Sequence, residues 1–160
     1  MNEKRVIAAL KNSAEELALE IARLPAEGTL WRPGEGEWSQ HEILTHVYIA
    51  DHYVFLPRLR AMATETNPFL PVVDEVALQT REWNPDRPRE ELLMEFMADR
   101  GAEIDLLKAH NWDRPGTHGA LGPITLGWVG QYALGHTWEH ASQAVRARLH
   151  YTLRGPGQAG

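Results

Sequence analysis

Four stretches of this chain repeat their apolar residues every three or four positions, and that spacing constrains the fold more than any other feature. Over Glu3–Leu24 the repeating residues are Val6, Leu10, Ala14, Leu17, Ile21 and Leu24, the one-sided stripe of an amphipathic helix. Pro25 and Gly28 end it. Ser39 with Glu42 three positions on reads as a capping box that starts a second helix. That helix carries Ile43, Val47, Ala50 and Val54 on one stripe and runs past Tyr53, with Pro57 expected to kink or shorten it. Arg89–His110 is a third, with Leu93, Phe96, Met97, Ile104 and Leu107 inward. Its residues Glu90, Glu91, Glu95, Asp99 and Glu103 read as a solvated acidic face. The fourth runs from about Thr125 to Leu149 with Val129, Tyr132, Ala133, His136, His140, Gln143, Ala144 and Ala147 on its stripe.

Gly and Pro crowd the connections, and no stretch alternates convincingly as a strand. A short helix around Asp74–Thr80 is expected inside the proline-rich stretch from Thr64 to Pro88, and 111–123 reads as loop. The expected fold is all-α, an antiparallel four-helix bundle with long proline-rich connections. The expected organisation is one domain over 1–153, with 154–160 as a flexible Gly/Pro tail.

Composition narrows the chemistry. The chain has no cysteine, which removes disulfides, thiolate zinc sites and any cysteine nucleophile. Any metal must take nitrogen and oxygen ligands. A formal charge of −6, with Lys and Arg scattered, argues against nucleic acid as a partner. No apolar run reaches the length of a membrane span, and the N-terminus leads into an amphipathic pattern. The chain is therefore expected to be cytoplasmic.

His136 and His140 stand at i and i+4 on the apolar stripe, so their rings share one face one turn apart. Buried neutral imidazoles need partners, and a divalent ion satisfies one nitrogen of each. Hydrogen-bonded core histidines are the competing reading. A third ligand has to come from another helix. His46 is the best placed, mid-helix between Leu44 and Val47 on or beside the buried face. His41 lies in a first turn and His52 almost opposite in phase. His110, His118 and His150, at helix ends or in a loop, read as exposed.

The motifs Trp31-Arg32-Pro33, Gly36-Glu37-Trp38-Ser39 and Glu42-Ile43-Leu44-x-His46, followed by His136-x3-His140-x2-Gln143, resemble the DinB-like (DinB/YfiT) superfamily over about Glu3 to Leu149. The resemblance implies a four-helix bundle, a homodimer, and one divalent ion (zinc, nickel or iron) held by His46, His136 and His140. The family's name refers to induction by DNA damage, a stress response. Its members include S-transferases that use bacillithiol, mycothiol or glutathione.

Three protein ligands leave a coordination position open, the pattern of a catalytic site. A thiol bound there would lose its proton. With no cysteine in the chain, the sulfur would come from solution. The first expectation is therefore transfer of a small-molecule thiol to a small electrophile. Hydrolysis by metal-activated water is the second, and a non-enzymatic metal-binding or interaction protein the third. His136–His140 also reads H-x-x-E-H, the inverted zinc-peptidase motif, but no Asp or Glu follows Glu139 to complete such a shell. Glu139, Gln143 and Tyr132 are expected to support the ligands or line the pocket. Trp38 reads as a hydrophobic staple near Ile43. Trp128 and Trp138 are expected at the site or a dimer interface. Asp51, His52 and Tyr53 read as groups behind the ligands, and Arg58 or Arg60 as receivers of an anion.

Overall fold

The computed structural model describes residues 2–156. Helix α1 spans Glu3–Arg23 behind an Asn2 cap. The Ser39/Glu42 capping box forms as expected and opens α2, Gln40–Ala50. The chain then widens into a π-helical turn, Asp51–Phe55, before α3, Leu56–Thr64. Pro57 explains the widening. Without an N–H it cannot bond the carbonyl of Tyr53, and its ring would clash there, so an enlarged turn absorbs the misfit. A short helix α4 covers Glu75–Glu82, capped by Asp74. Helix α5 covers Arg89–Ala109. Helix α6 covers Leu126–Arg154 and is capped by Thr125. It therefore runs past Leu149 into the stretch expected to fray, and Gly155 still donates to Tyr151 O. The remainder of the expected tail, 157–160, lies outside the described residues.

The chain is mostly helical but not purely so. Strands β1 (Phe69–Leu70), β2 (Pro115–His118) and β3 (Gly122–Thr125) form a small sheet in the order β1-β2-β3. The first pair is parallel and the second antiparallel. Strands this short, β2 and β3 carrying Gly and Pro besides, have too few residues to show a period of two.

Helix α1 packs on α5 and α6, and α2 packs on the same two. Consecutive helices α1 and α2 are therefore diagonal, not neighbours. Side-chain pairings give the directions. Arg89 at the start of α5 caps the end of α1 by donating to Ile21 O and Leu24 O, so these two run antiparallel. Arg148 near the end of α6 pairs with Glu20 near the end of α1, so those two run parallel. Asp51 meets Arg100 while His41 meets Arg87, so α2 and α5 are parallel as well. The expected all-antiparallel bundle is corrected to a mixed one. Apolar spacing tells which face a helix buries but not which way its neighbour points. The long link from α3 to α5 is what lets α5 return parallel to α2.

Two apolar clusters fill the bundle. One gathers Val6, Leu10, Leu59, Ile104, Val129 and Ala133. The other gathers Leu17, Ile21, Ile43, Phe96, Ala144 and Ala147. Between their levels on α2, α5 and α6 lies a polar layer, and the candidate site belongs to it.

Candidate metal centre

All of α2 is buried, so His46, midway along it, is enclosed whatever its helical phase. His136 and His140 project from α6, the antiparallel neighbour, one turn apart. Each of the three offers a ring nitrogen within 4.8 Å of the others. Nε2 of His46 and Nε2 of His136 are 3.1 Å apart. Ring centroids stand 5.1 Å apart for His46–His136, 4.6 Å for His46–His140 and 4.4 Å for His136–His140. Two ligands on one tetrahedral ion at about 2.0–2.1 Å are separated by about 3.3 Å, so the spacing fits an ion. Gln143 supports the same reading, because its Oε1 accepts from Nδ1–H of His140 at 2.9 Å. That fixes the tautomer and leaves the Nε2 lone pair of His140 free for the centre.

Burial holds all three rings neutral, the form that binds a metal. Desolvation, reinforced by repulsion from His140, lowers His46 to about 4; the amide of Gln79 opposes this weakly. Desolvation, then His140, His46 and Arg100, lower His136 to about 2. His140 is lowered too, chiefly by burial, with Gln143 working against it.

Around the cluster stand groups the sequence did not disclose. Glu75, at the start of α4, places Oε2 3.8 Å from His46 Nε2. Gln79, one turn on, ties α4 to α2 by donating to Glu42 O at 3.3 Å. Helix α4 itself buries no residue, so apolar spacing could not have flagged Glu75. Trp38 does more than staple the helix start. Its indole lies 4.9 Å from the His46 ring and 6.1 Å, stacked, from that of His140. The nearby Trp-Ser-x-x-Glu capping box was the available signal.

The other expected residues separate. Gln143 is at the site. Glu139 points to solvent and reaches His140 only as a distant favourable charge. Tyr132 is 53 % exposed, stacks on Trp128 and meets His136 only through the intervening Phe55. Trp138 is exposed. His52 is also exposed and pairs with Asp99. Arg58 donates to Pro71 O. His110, His118 and His150 are half-buried, not fully exposed.

Glu103 overturns the reading of a solvated acidic face: it is wholly buried. It shares the α5 stripe with Phe96, Arg100 and Leu107. Arg100 forks onto Asp51 at 3.0 and 2.9 Å, donates to Thr137 Oγ1 at 2.9 Å, and has Nε 3.1 Å from Glu103 Oε2. Burial and the neighbouring Asp51 push Glu103 well above the usual carboxylate range. With Glu103 protonated, the trio carries no net charge.

The DinB superfamily matches residues 9–144 of the chain. Among solved structures, the chain is similar to one described as "YfiT from Bacillus subtilis is a probable metal-dependent hydrolase with an unusual four-helix bundle topology". The TM-score is 0.78 at 17% identity, covering 91% of this chain and 85% of that one. At that identity the likeness establishes the shared fold. No curated protein matches the sequence. Among the described residues, no helix is long and apolar enough to cross a membrane.

Proposed function

We propose that this chain, which belongs to the DinB superfamily, is a metal-dependent enzyme acting on small molecules, with one divalent ion held by His46, His136 and His140. The observation that carries the reading is the convergence of three neutral imidazoles from α2 and α6 within 4.8 Å. An ion bound there would act as a Lewis acid, lowering the pKa of a bound water toward about 7 and removing the proton of a bound thiol.

Glu75 decides between the two nucleophiles. Its carboxylate is 3.8 Å from a ligand nitrogen, within reach of a group bound beside the ligands. There Oε2 can accept a proton from the attacking group and return it to the leaving group. A thiol whose pKa the ion has already lowered gains little from such a base. Water near neutral pH gains a great deal. We therefore place hydrolysis first and thiol transfer second, reversing the order that the sequence suggests. Trp38 and Phe55 flank the rings and shield them from water on those sides, which strengthens the electrostatics of the centre. Transfer of a bacillithiol-, mycothiol- or glutathione-type thiol keeps one observation in its favour: the adjoining cavity is far larger than a water nucleophile needs.

The test is turnover of activated esters and lactones by zinc-, nickel- or iron-loaded protein, with and without an added thiol and a chlorinated acceptor. Hydrolysis without thiol, abolished in His136→Ala and reduced about 10²–10⁴-fold in Glu75→Gln, is the expected result. Turnover only with thiol would install the second reading. Metal binding with no turnover of either kind would leave a non-enzymatic metal protein.

The homodimer is also a proposal. Trp138, Leu149 and Leu153 are exposed along one side of α6 at helical spacing, a surface that a second copy would cover. Sedimentation of a Trp138→Glu variant as a monomer, against a wild-type dimer, would support it.

A further inference from the structure

A cavity of about 310 Å³ opens beside the histidine cluster, between the loop preceding α2 and the later turns of α6. His140 and Trp38 border it, Ile43 lends an apolar wall, and Gln143, Arg146 and His150 follow one another along α6. Its size is at the lower end for a small-molecule site, too small for a polymer.

The polar lining is unevenly committed. Gln143 spends its carbonyl on His140, which leaves its amide N–H groups to the cavity. The neighbouring bundle arginines are paired: Arg148 with Glu20, Arg100 with Asp51, Arg87 with Glu91 and Glu95, and Arg32 with Glu42. Arg146 makes no hydrogen bond or ion pair among the described residues. The one carboxylate in the described lining, Glu37, makes no ion pair with it. Glu37 folds back over Gly34, where even an added Cβ would come within 3.0 Å of its Oε2.

We infer that this cavity receives the substrate, and that Arg146 binds the carboxylate of a small, elongated organic anion whose other end reaches the histidine cluster. A guanidinium takes a planar carboxylate through two parallel N–H···O bonds. One unpaired guanidinium balances one negative charge, which favours a monoanion over a phosphate dianion. Gln143 donates alongside, and Trp38 with Ile43 encloses the apolar body. His140 and Arg146 stand six positions apart on α6, a backbone rise of about 9 Å, so an anion about six chain atoms long is of the size that would span them. The inference rests on reading the cluster as the metal centre.

The experiment titrates mercaptohexanoate and its uncharged counterpart mercaptohexanol into zinc-loaded wild type, Arg146→Gln and Arg146→Lys by calorimetry, with zinc content measured throughout. The expected result is at least about tenfold tighter binding of the carboxylate to wild type, a ratio near one in Arg146→Gln, and partial recovery in Arg146→Lys, all at unchanged zinc. A ratio near one in wild type, or a preserved ratio in Arg146→Gln, overturns the proposal. Wild type that takes up no zinc defeats the metal reading separately. The charge preference is then measured on metal-free protein with hexanoate against hexanol, and its absence there also overturns the inference.

Discussion

His136 and Thr137 are adjacent on α6, yet they belong to two buried polar assemblies of opposite kinds. Thr137 accepts from Arg100, whose cation is matched inside the chain by Asp51 and by a protonated Glu103. That assembly balances its own charge within the chain, although Arg100 Nη1 and both Glu103 carboxyl oxygens are buried without a hydrogen-bond partner. His136 joins two other neutral rings whose nitrogens converge at 3.1–4.8 Å, with one partly exposed acid, Glu75, 3.8 Å from His46 Nε2. Its Nδ1, like that of His46, is buried without a hydrogen-bond partner. One assembly, the closed one, is neutralised by its own members; the other, the open one, gathers neutral donors that a bound cation would complement. Burial of polar groups alone does not single out a candidate site; convergence of donors without a matching charge does.

The largest expected effect comes from the open assembly. His136→Ala should abolish turnover and reduce metal content far more than the about 10–100-fold that loss of a supporting hydrogen bond costs. The metal-free variant should lose less than about 3 kcal/mol, because the vacated ring space costs packing but no ion pair is broken and Nδ1 has no hydrogen-bond partner to lose. Elemental analysis and urea unfolding with and without chelator would measure both. A metal-free variant as unstable as a broken ion pair would show that the two assemblies do not differ in kind.

Arg100→Met is the matching change in the closed assembly. It strands Asp51 and Glu103 in the core and should cost about 3–5 kcal/mol of stability, read from urea midpoints. Adding Asp51→Leu and Glu103→Leu should return much of that loss, since an apolar replacement of a whole buried ion cluster is often neutral or better. Failure of the triple variant to recover would mean that the network specifies the bundle's packing as well as balancing charge.

The two assemblies also differ in how legible they were. The histidines were readable because His136 and His140 sit at i,i+4 on an apolar stripe and His46 lies mid-helix between Leu44 and Val47. Arg100 and Glu103 lie on a stripe too, with Phe96 and Leu107 at helical spacing, but among Glu90, Glu91, Glu95 and Asp99 they looked like solvated charge. Only a partner on another helix, Asp51, turns that pattern inward, and pairings between distant segments leave no local trace. Glu75 was hidden for the reverse reason: α4 lies over the bundle without burying a residue, so nothing periodic marks it. Helix direction was equally silent, since the stripe of α6 reads the same whether its neighbour runs parallel or antiparallel.

Protons should pull the two assemblies in opposite directions. In metal-free protein the folded rings of His46 and His136 resist protonation down to about 4 and about 2, while the unfolded chain takes up protons below about 6.5. The unfolded state then binds more protons, so this contribution makes stability rise with pH up to about 6.5 and flatten above it. Glu103 does the reverse. Its folded carboxyl keeps its proton above the unfolded value, so its contribution falls as pH rises past about 4.3. Urea unfolding across pH 4–8 should show Glu103→Gln removing the falling component, and His46→Phe flattening part of the rise by an amount on the order of a few kcal/mol. Unchanged curves in both variants would remove the physical basis for treating the assemblies as opposites.

The smallest expected effect tests how far the open assembly depends on its support. Gln143 accepts from Nδ1–H of His140 and so orients that ring for the centre. Gln143→Leu should lower metal affinity by about 10–100-fold, as such supporting contacts do, with stability of the metal-free protein nearly unchanged. Because Gln143 borders an open cavity, water can replace its carbonyl, which favours the lower end of that range. Thr137→Val, the counterpart on the closed side, should leave metal affinity alone and cost about 1–3 kcal/mol of stability by stranding an Arg100 N–H. Competition with a chromophoric chelator reads the first variant and urea unfolding the second. If the two variants exchanged phenotypes, His136 and Thr137 would belong to a single coupled network, and α6 would carry one polar site instead of two.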